Sequence, residues 1–308
     1  MKSALYIVIR FFFFCSVILC QWSSDPSAPQ SLGSGIQAQA VSTPDGGLYV
    51  AWLSDGNYHV YLQYLNPLGE PQLGQGGMVV SDNQNASWIA VYHLNLGVDH
   101  EGNAIISTVD QRTGSVWEVY AYKVGPDGSM YWGADGLALT ASSASNMSPR
   151  LAVTNENSVI VAWTHNDNTV LFQHISSSGT LLWGDGILVT DNDATLISPN
   201  PIITSDNNIL VQWIRQTGPF WAANSELYLQ KYDHDGNTLW NDPVVAAGPV
   251  VFPMGNWSQQ SLPDANSGNF SAWTEMAGNV QSSKTQHTDA DGNLLWAGSI
   301  EFSNNSSH

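Results

Sequence analysis

The stretch Leu227-Tyr-Leu-Gln-Lys-Tyr-Asp-His-Asp-Gly-Asn-Thr-Leu-Trp240 decides the fold. Its first six residues alternate in the manner of a half-buried strand. Asp233 to Asn237 then supply a turn in which Gly and Asn adopt positive φ at little steric cost. A further strand follows, opened by Trp240. The same phrase recurs along the chain. Gly-x-x-x-Trp appears as Gly128 to Trp132, Gly179 to Trp183, Gly236 to Trp240 and Gly292 to Trp296, with a degenerate copy from Gly69 to Leu73. The glycines are 59, 51, 57 and 56 residues apart. Two further marks keep step with them. One is an apolar triplet ending in Trp: Val50-Ala-Trp52, Val161-Ala-Trp163, Val211-Gln-Trp213 and Ser271-Ala-Trp273, with Ile106-Ser-Thr108 in the second copy. The other is a Gln six residues before the glycine, at Gln63, Gln173, Gln230 and Gln286, with Tyr122 in the second copy.

Three marks in phase over five copies define a repeat of about 55 residues, read as four short strands each. No stretch carries a helical apolar period. Four strands per unit at this period predict an all-β, five-bladed β-propeller, with an open β-solenoid of five units as the alternative. The repeats run over about 36–82, 83–141, 142–191, 192–247 and 248–303. Residues 21–35 are a tether and 304–308 a tail.

Residues 1–20 read as an export signal: Lys2 and Arg10 precede the apolar run Phe11–Leu19, which is too short to span a bilayer. Both cysteines, Cys15 and Cys20, lie in this leader, so the mature chain relies on no disulfide, which suits a bacterial exported protein. Cys20 is the candidate lipidation site, although Leu19 stands where lipoprotein signals carry a small residue. The expected location is secreted, cell-surface or periplasmic, and the expected state is monomeric.

The chain has 8 Lys+Arg against 26 Asp+Glu, a formal charge of -18 that becomes -20 once Lys2 and Arg10 leave with the leader. Such a balance disfavours nucleic acid and anionic membrane surfaces as partners, which need basic patches. A glycan or a protein is the expected ligand.

The turn before the second Trp resembles the Asp-box, or BNR, turn of sialidase-like propellers. Asp235 stands five residues before Trp240 and Asp291 five before Trp296, as in that motif, with Gly236 and Gly292 four before Trp instead of three. The fuller pattern resembles repeats of large secreted bacterial proteins. The resemblance implies a propeller fold and an exported location.

Most Trp, the recurrent Gln and the Asp-Gly-Asn turns are accounted for by the repeat. The remainder is where function is expected. Trp88, Phe220, Trp221 and Trp257 fall in inter-repeat links or in the long loop between second and third strands, on the face where propellers usually bind ligands. Arg112 and Arg215 lie in or beside such loops, and Arg150 lies near the start of an inner strand. Asp110, Asp167 and Glu275, each assigned to a second-to-third-strand loop, are the candidate acids for glycoside hydrolysis, which needs two carboxylates about 5–10 Å apart. Asp191 and Asp193 are the candidate cation ligands; a Ca²⁺ ion is the one cofactor entertained, and the Asp-x-Asp-Gly-Asn turns lack the twelfth-position Glu of an EF-hand. No zinc motif, nucleophile elbow or phosphate loop occurs. A binding propeller is therefore the leading expectation, with a carbohydrate-active hydrolase and a structural envelope protein as alternatives.

Overall fold

The computed structural model describes residues 27, 29–85, 93–114, 116–140, 144–219, 223–253 and 259–306. They form a five-bladed β-propeller. Blade 1 contains β1 (Ile36–Ser42), β2 (Leu48–Leu53), β3 (Val60–Leu65) and β4 (Met78–Ser81). Blade 2 contains β5 (Asn95–Val98), β6 (Ala104–Asp110), β7 (Glu118–Val124) and β8 (Leu137–Ala138). Blade 3 contains β9 (Asn146–Val153), β10 (Val159–His165), β11 (Thr169–Ile175) and β12 (Ile187–Val189). Blade 4 contains β13 (Thr195–Ile203), β14 (Ile209–Thr217), β15 (Asn224–Tyr232) and β16 (Val244–Val250). Blade 5 contains β17 (Gln260–Pro263), β18 (Asn269–Ala277), β19 (Val280–Thr288) and β20 (Ile300–Ser306). Each blade is an antiparallel meander in chain order. β16 and β20 run past the repeat limits at 247 and 303 read from the sequence. Among the described residues no helix is long and apolar enough to cross a membrane.

The repeat marks have separate mechanical roles. The third-strand Gln of blades 1, 3, 4 and 5 closes its own blade. Gln173 donates from Nε2 to the Gly184 carbonyl, while its Oε1 accepts from the Trp183 and His174 backbone N–H groups at 3.1 and 2.9 Å. Gln63 does the same for Gly74, Leu73 and Tyr64. Ten residues separate Gln from the second Trp because that is the length of hairpin the amide has to span.

The second Trp joins blades. Trp132, Trp183 and Trp240 donate their indole N–H to the carbonyls of Ser177, His234 and Ala290, each in the third-turn loop of the following blade. The first Trp faces backwards: Trp163, Trp213 and Trp273 are buried in the cores shared with the preceding blade. Inner strands pack in sequence, β1 on β5, β5 on β9, β9 on β13 and β13 on β17.

The junction between blades 5 and 1 differs. Among the described residues, Trp296 makes no indole hydrogen bond to blade 1, and no blade 5 strand packs on blade 1 as the sequential junctions do. Trp52, the blade 1 counterpart of the backward-facing Trp, is covered by Gly33 and Gly35 instead. A Cβ added to Gly33 would lie 2.5 Å from its ring, so only glycine fits there. On blade 5, Leu262, Phe270, Ile300 and Phe302 remain exposed.

Candidate functional site

The inner strands bear a polar position that the Trp and Gln marks conceal. Gln39, Asn95, Arg150, Asn200 and Gln260 each stand 13 residues before the second-strand Trp or its counterpart Thr108. Each pairs in register with the middle residue of the triplet: Ala51, Ser107, Ala162, Gln212 and Ala272. The five blades thus present four amides and one guanidinium around the centre of the ring.

At the first two junctions these amides clasp the next inner strand. Gln39 donates to the Leu94 carbonyl at 2.5 Å and accepts from the Leu96 N–H at 3.1 Å. Asn95 accepts from the Leu151 N–H at 2.8 Å. At the third junction the pattern breaks on both sides. A guanidinium has no lone pair to offer, and the residue opposite, Pro201, has no N–H to give. Arg150 instead reaches past blade 4, placing Nη1 3.5 Å from the carbonyl of Gln259 at the start of blade 5. Gln259 in turn donates to the Ser198 carbonyl at 2.7 Å, while its Oε1 is buried without a partner among the described residues. Gln212, beside Asn200 in register, is fully buried, with both side-chain polar atoms unpaired among the described residues. Leaving a buried polar group unpaired costs about 1–3 kcal/mol, so this quarter of the channel is not built for stability alone.

The described Lys and Arg residues divide sharply. Arg112 donates to Asp110 and Tyr122, and these hold its pKa above the ordinary value although burial pulls the other way. Arg215 lies between Asp191 and Glu226, at 2.7 and 3.0 Å. Lys123 pairs with Asp99, Lys231 with Asp206 and Lys284 with Glu275. Among the described residues, Arg150 is the one Lys or Arg that no carboxylate approaches within ion-pair distance. It is closely surrounded by protein yet keeps solvent access, as befits a side chain in a narrow channel. Burial alone pushes its pKa down.

The sequence candidates fall out as follows. Asp110 is the last residue of β6 and Glu275 lies within β18, so both stand on strands and not in the loops assigned to them. For Glu275 the reason is a tight hairpin, in which β18 and β19 are joined by Gly278 and Asn279 alone, whereas Asp110 ends β6 just before its loop. Asp110 is buried against Arg112, whereas Glu275 accepts from Lys284 and from the Trp273 indole at 2.9 Å. Asp167 is an exposed turn residue with φ of 61°. The structure thus ties each of the first two acids to its own blade. Asp191 is occupied by Arg215 and by the Asp193 N–H, which lower its pKa. The Asp233 and Asp289 carboxylates accept the N–H groups of their own turns. No group of three metal-ligating side chains occurs among the described residues. Trp88, Phe220, Trp221, Trp257 and Cys20 lie outside the described residues. The polar ring escaped the sequence reading because its residue type varies; its fixed distance of 13 from the Trp triplet was the available signal.

No protein-family model matches the chain, and no curated protein matches it. Solved structures do. A polysaccharide lyase of family PL25, an ulvan lyase bound to -[GlcA(1-4)Rha3S]-, is 7% identical with a TM-score of 0.54, over 93% of this chain and 72% of that one. The Aleuria aurantia lectin N224Q mutant, in complex with alpha-methyl-L-fucoside, is 13% identical with a TM-score of 0.50, over 87% and 76%. The endo-arabinase from Bacteroides thetaiotaomicron VPI-5482 is 11% identical with a TM-score of 0.44, over 87% and 99%. At these identities the likeness is one of fold.

Proposed function

We propose that this chain is an exported carbohydrate-binding propeller whose ligand sits over the channel mouth, on the face carrying the inter-blade links, and is bound without turnover. One observation carries the reading. The candidate acids Asp110 and Glu275 are held by cations of their own blades, whereas Arg150 and Asn200 on the inner strands are left out of the clasps that tie blades 1 to 3 together. Such unsatisfied donors and acceptors around a concave centre suit a polyhydroxylated ligand. The two solved structures above with TM-scores of 0.54 and 0.50 hold carbohydrates, which supports the same class. Trp221 and Trp257, with Trp88 and Phe220, are the stacking candidates read from the sequence. Export through residues 1–20, with Cys20 as a point of attachment, belongs to this reading. A glycan array probed with the wild type, W221A and W257A tests it. Binding by the wild type that weakens in either variant is expected; absence of any glycan signal from wild type would end the reading and leave a protein ligand or a structural role.

A second reading is a carbohydrate-active enzyme. It draws on a cleft of about 320 Å³ between blades 4 and 5, where Glu275, Lys284 and Trp273 meet. Release of reducing ends or unsaturated products from the bound glycan, abolished in E275Q, would favour it.

A further inference from the structure

Resting on the carbohydrate-binding reading, we infer that Arg150 makes the channel an anion-recognition site, so that the ligand is an acidic glycan bearing a carboxylate or a sulfate ester. Four observations converge on it. The first is charge accounting: in a chain with 8 basic and 26 acidic residues, every other described Lys or Arg already has a carboxylate, and Arg150 alone does not. With so many acids available, an unpaired guanidinium at the centre of the ring is a feature of that place and not of a shortage. The second is the break in the repeat. Arg150 occupies a position that is an amide in the other four blades, and Pro201 removes the N–H that such an amide would accept. Together they leave the guanidinium outside the inter-blade hydrogen-bonding scheme.

The third is the unsatisfied chemistry around it. Its one hydrogen bond to a described residue is the 3.5 Å contact with the Gln259 carbonyl, although the group has five N–H donors in a planar fork. Beside it, Asn200 makes no side-chain hydrogen bond to a described residue. Gln212 is wholly buried, with both amide atoms unpaired among the described residues. A carboxylate or sulfate accepts two parallel bonds from the fork, and its further lone pairs suit the partly exposed Asn200 amide. The fourth is access: Arg150 is partly exposed to solvent. The overall negative charge does not forbid this. At about 0.15 M ionic strength the screening length is about 8 Å, so distant surface acids are muted while a contact pair is not.

A structural role makes the opposite prediction about stability. A cation held without a partner in a crowded site costs stability, and its replacement by a neutral isostere is neutral or stabilising. The test uses purified wild type, R150K and R150Q with three probes at equal ionic strength: a glucuronate oligosaccharide, a sulfated neutral oligosaccharide, and the same neutral oligosaccharide unsulfated. Wild type is expected to bind at least one acidic probe at least tenfold more tightly than the neutral one. R150Q loses that preference, R150K keeps part of it, and R150Q melts no lower than wild type. Which acidic probe binds separates carboxylate from sulfate. Equal binding of acidic and neutral probes by wild type, or an unchanged preference in R150Q, overturns the anion inference while leaving carbohydrate binding standing. A melting temperature of R150Q well below wild type, with the preference also retained in a correctly folded fraction, assigns Arg150 to architecture and overturns it too. If wild type binds none of the three probes, the anion inference fails here; only an empty glycan array removes the wider reading.

Discussion

Asp206 holds Lys231, the side chain that ties blade 4 to blade 5. Its Oδ2 accepts from Lys231 at 2.8 Å, and Lys231 also donates to the Ser267 carbonyl in blade 5. Burial pushes the Asp206 carboxyl up, but Lys231, Thr204 and Asn208 more than offset it and hold the pKa at about 2. The folded value lies below the unfolded value of about 3.9. The contribution is therefore complete above about pH 4 and is lost as pH falls toward 2. D206N removes this titration. The melting temperature of wild type should exceed that of D206N at neutral pH, and the gap should close between about pH 4 and pH 2; a gap independent of pH would show that the ion pair is not the coupling group. Residues like this, and like the Gln173 clasp, were legible in the sequence only as recurring types at fixed offsets. Gln173 repeats because the hairpin it closes repeats. Arg150 does not repeat as a residue type, and its ring position shows in its distance of 13 residues from Trp163 and in the register between β9 and β10.

At the scale of the element, the meander of each blade was readable because turn residues and Trp recur in phase. What was not readable was direction: the first Trp packs against the blade before, and the second reaches the blade after. Trp240 shows the second case, buried in the core of blades 4 and 5 with its N–H 2.9 Å from the Ala290 carbonyl. W240F keeps most of the apolar burial and loses the bond, an expected cost of about 1 kcal/mol. W240A also opens a cavity, and about 3–5 kcal/mol is expected. Chemical denaturation distinguishes them; equal losses in the two variants would mean that the indole N–H, and not packing, carries the junction. The placement of Asp110 and Glu275 on strands belongs to this scale too. Thr274 and Glu275 pair with Ser283 and Ser282 in the β18–β19 ladder, so the acid assigned to a loop stands on a strand, because backbone pairing outweighs side-chain preference in a hairpin.

At the scale of the molecule, four junctions are bonded in sequence and the fifth is covered partly by the tether at Gly33 and Gly35 over Trp52. The count of blades followed from the sequence; the unequal fifth junction did not, since the fifth repeat carries the same Trp and Gln marks as the fourth. The polar ring is a property of the whole assembly as well, because its five members come from five blades. The central claim is that this channel mouth binds carbohydrate. Hydrogen exchange measured with and without the tightest oligosaccharide from the array tests it most directly. Slowed exchange is expected in the inner strands β9, β13 and β17, with the outer strands β8, β12 and β16 unchanged. Protection confined to the outer strands, or none in the inner ones at saturating oligosaccharide, would contradict the account.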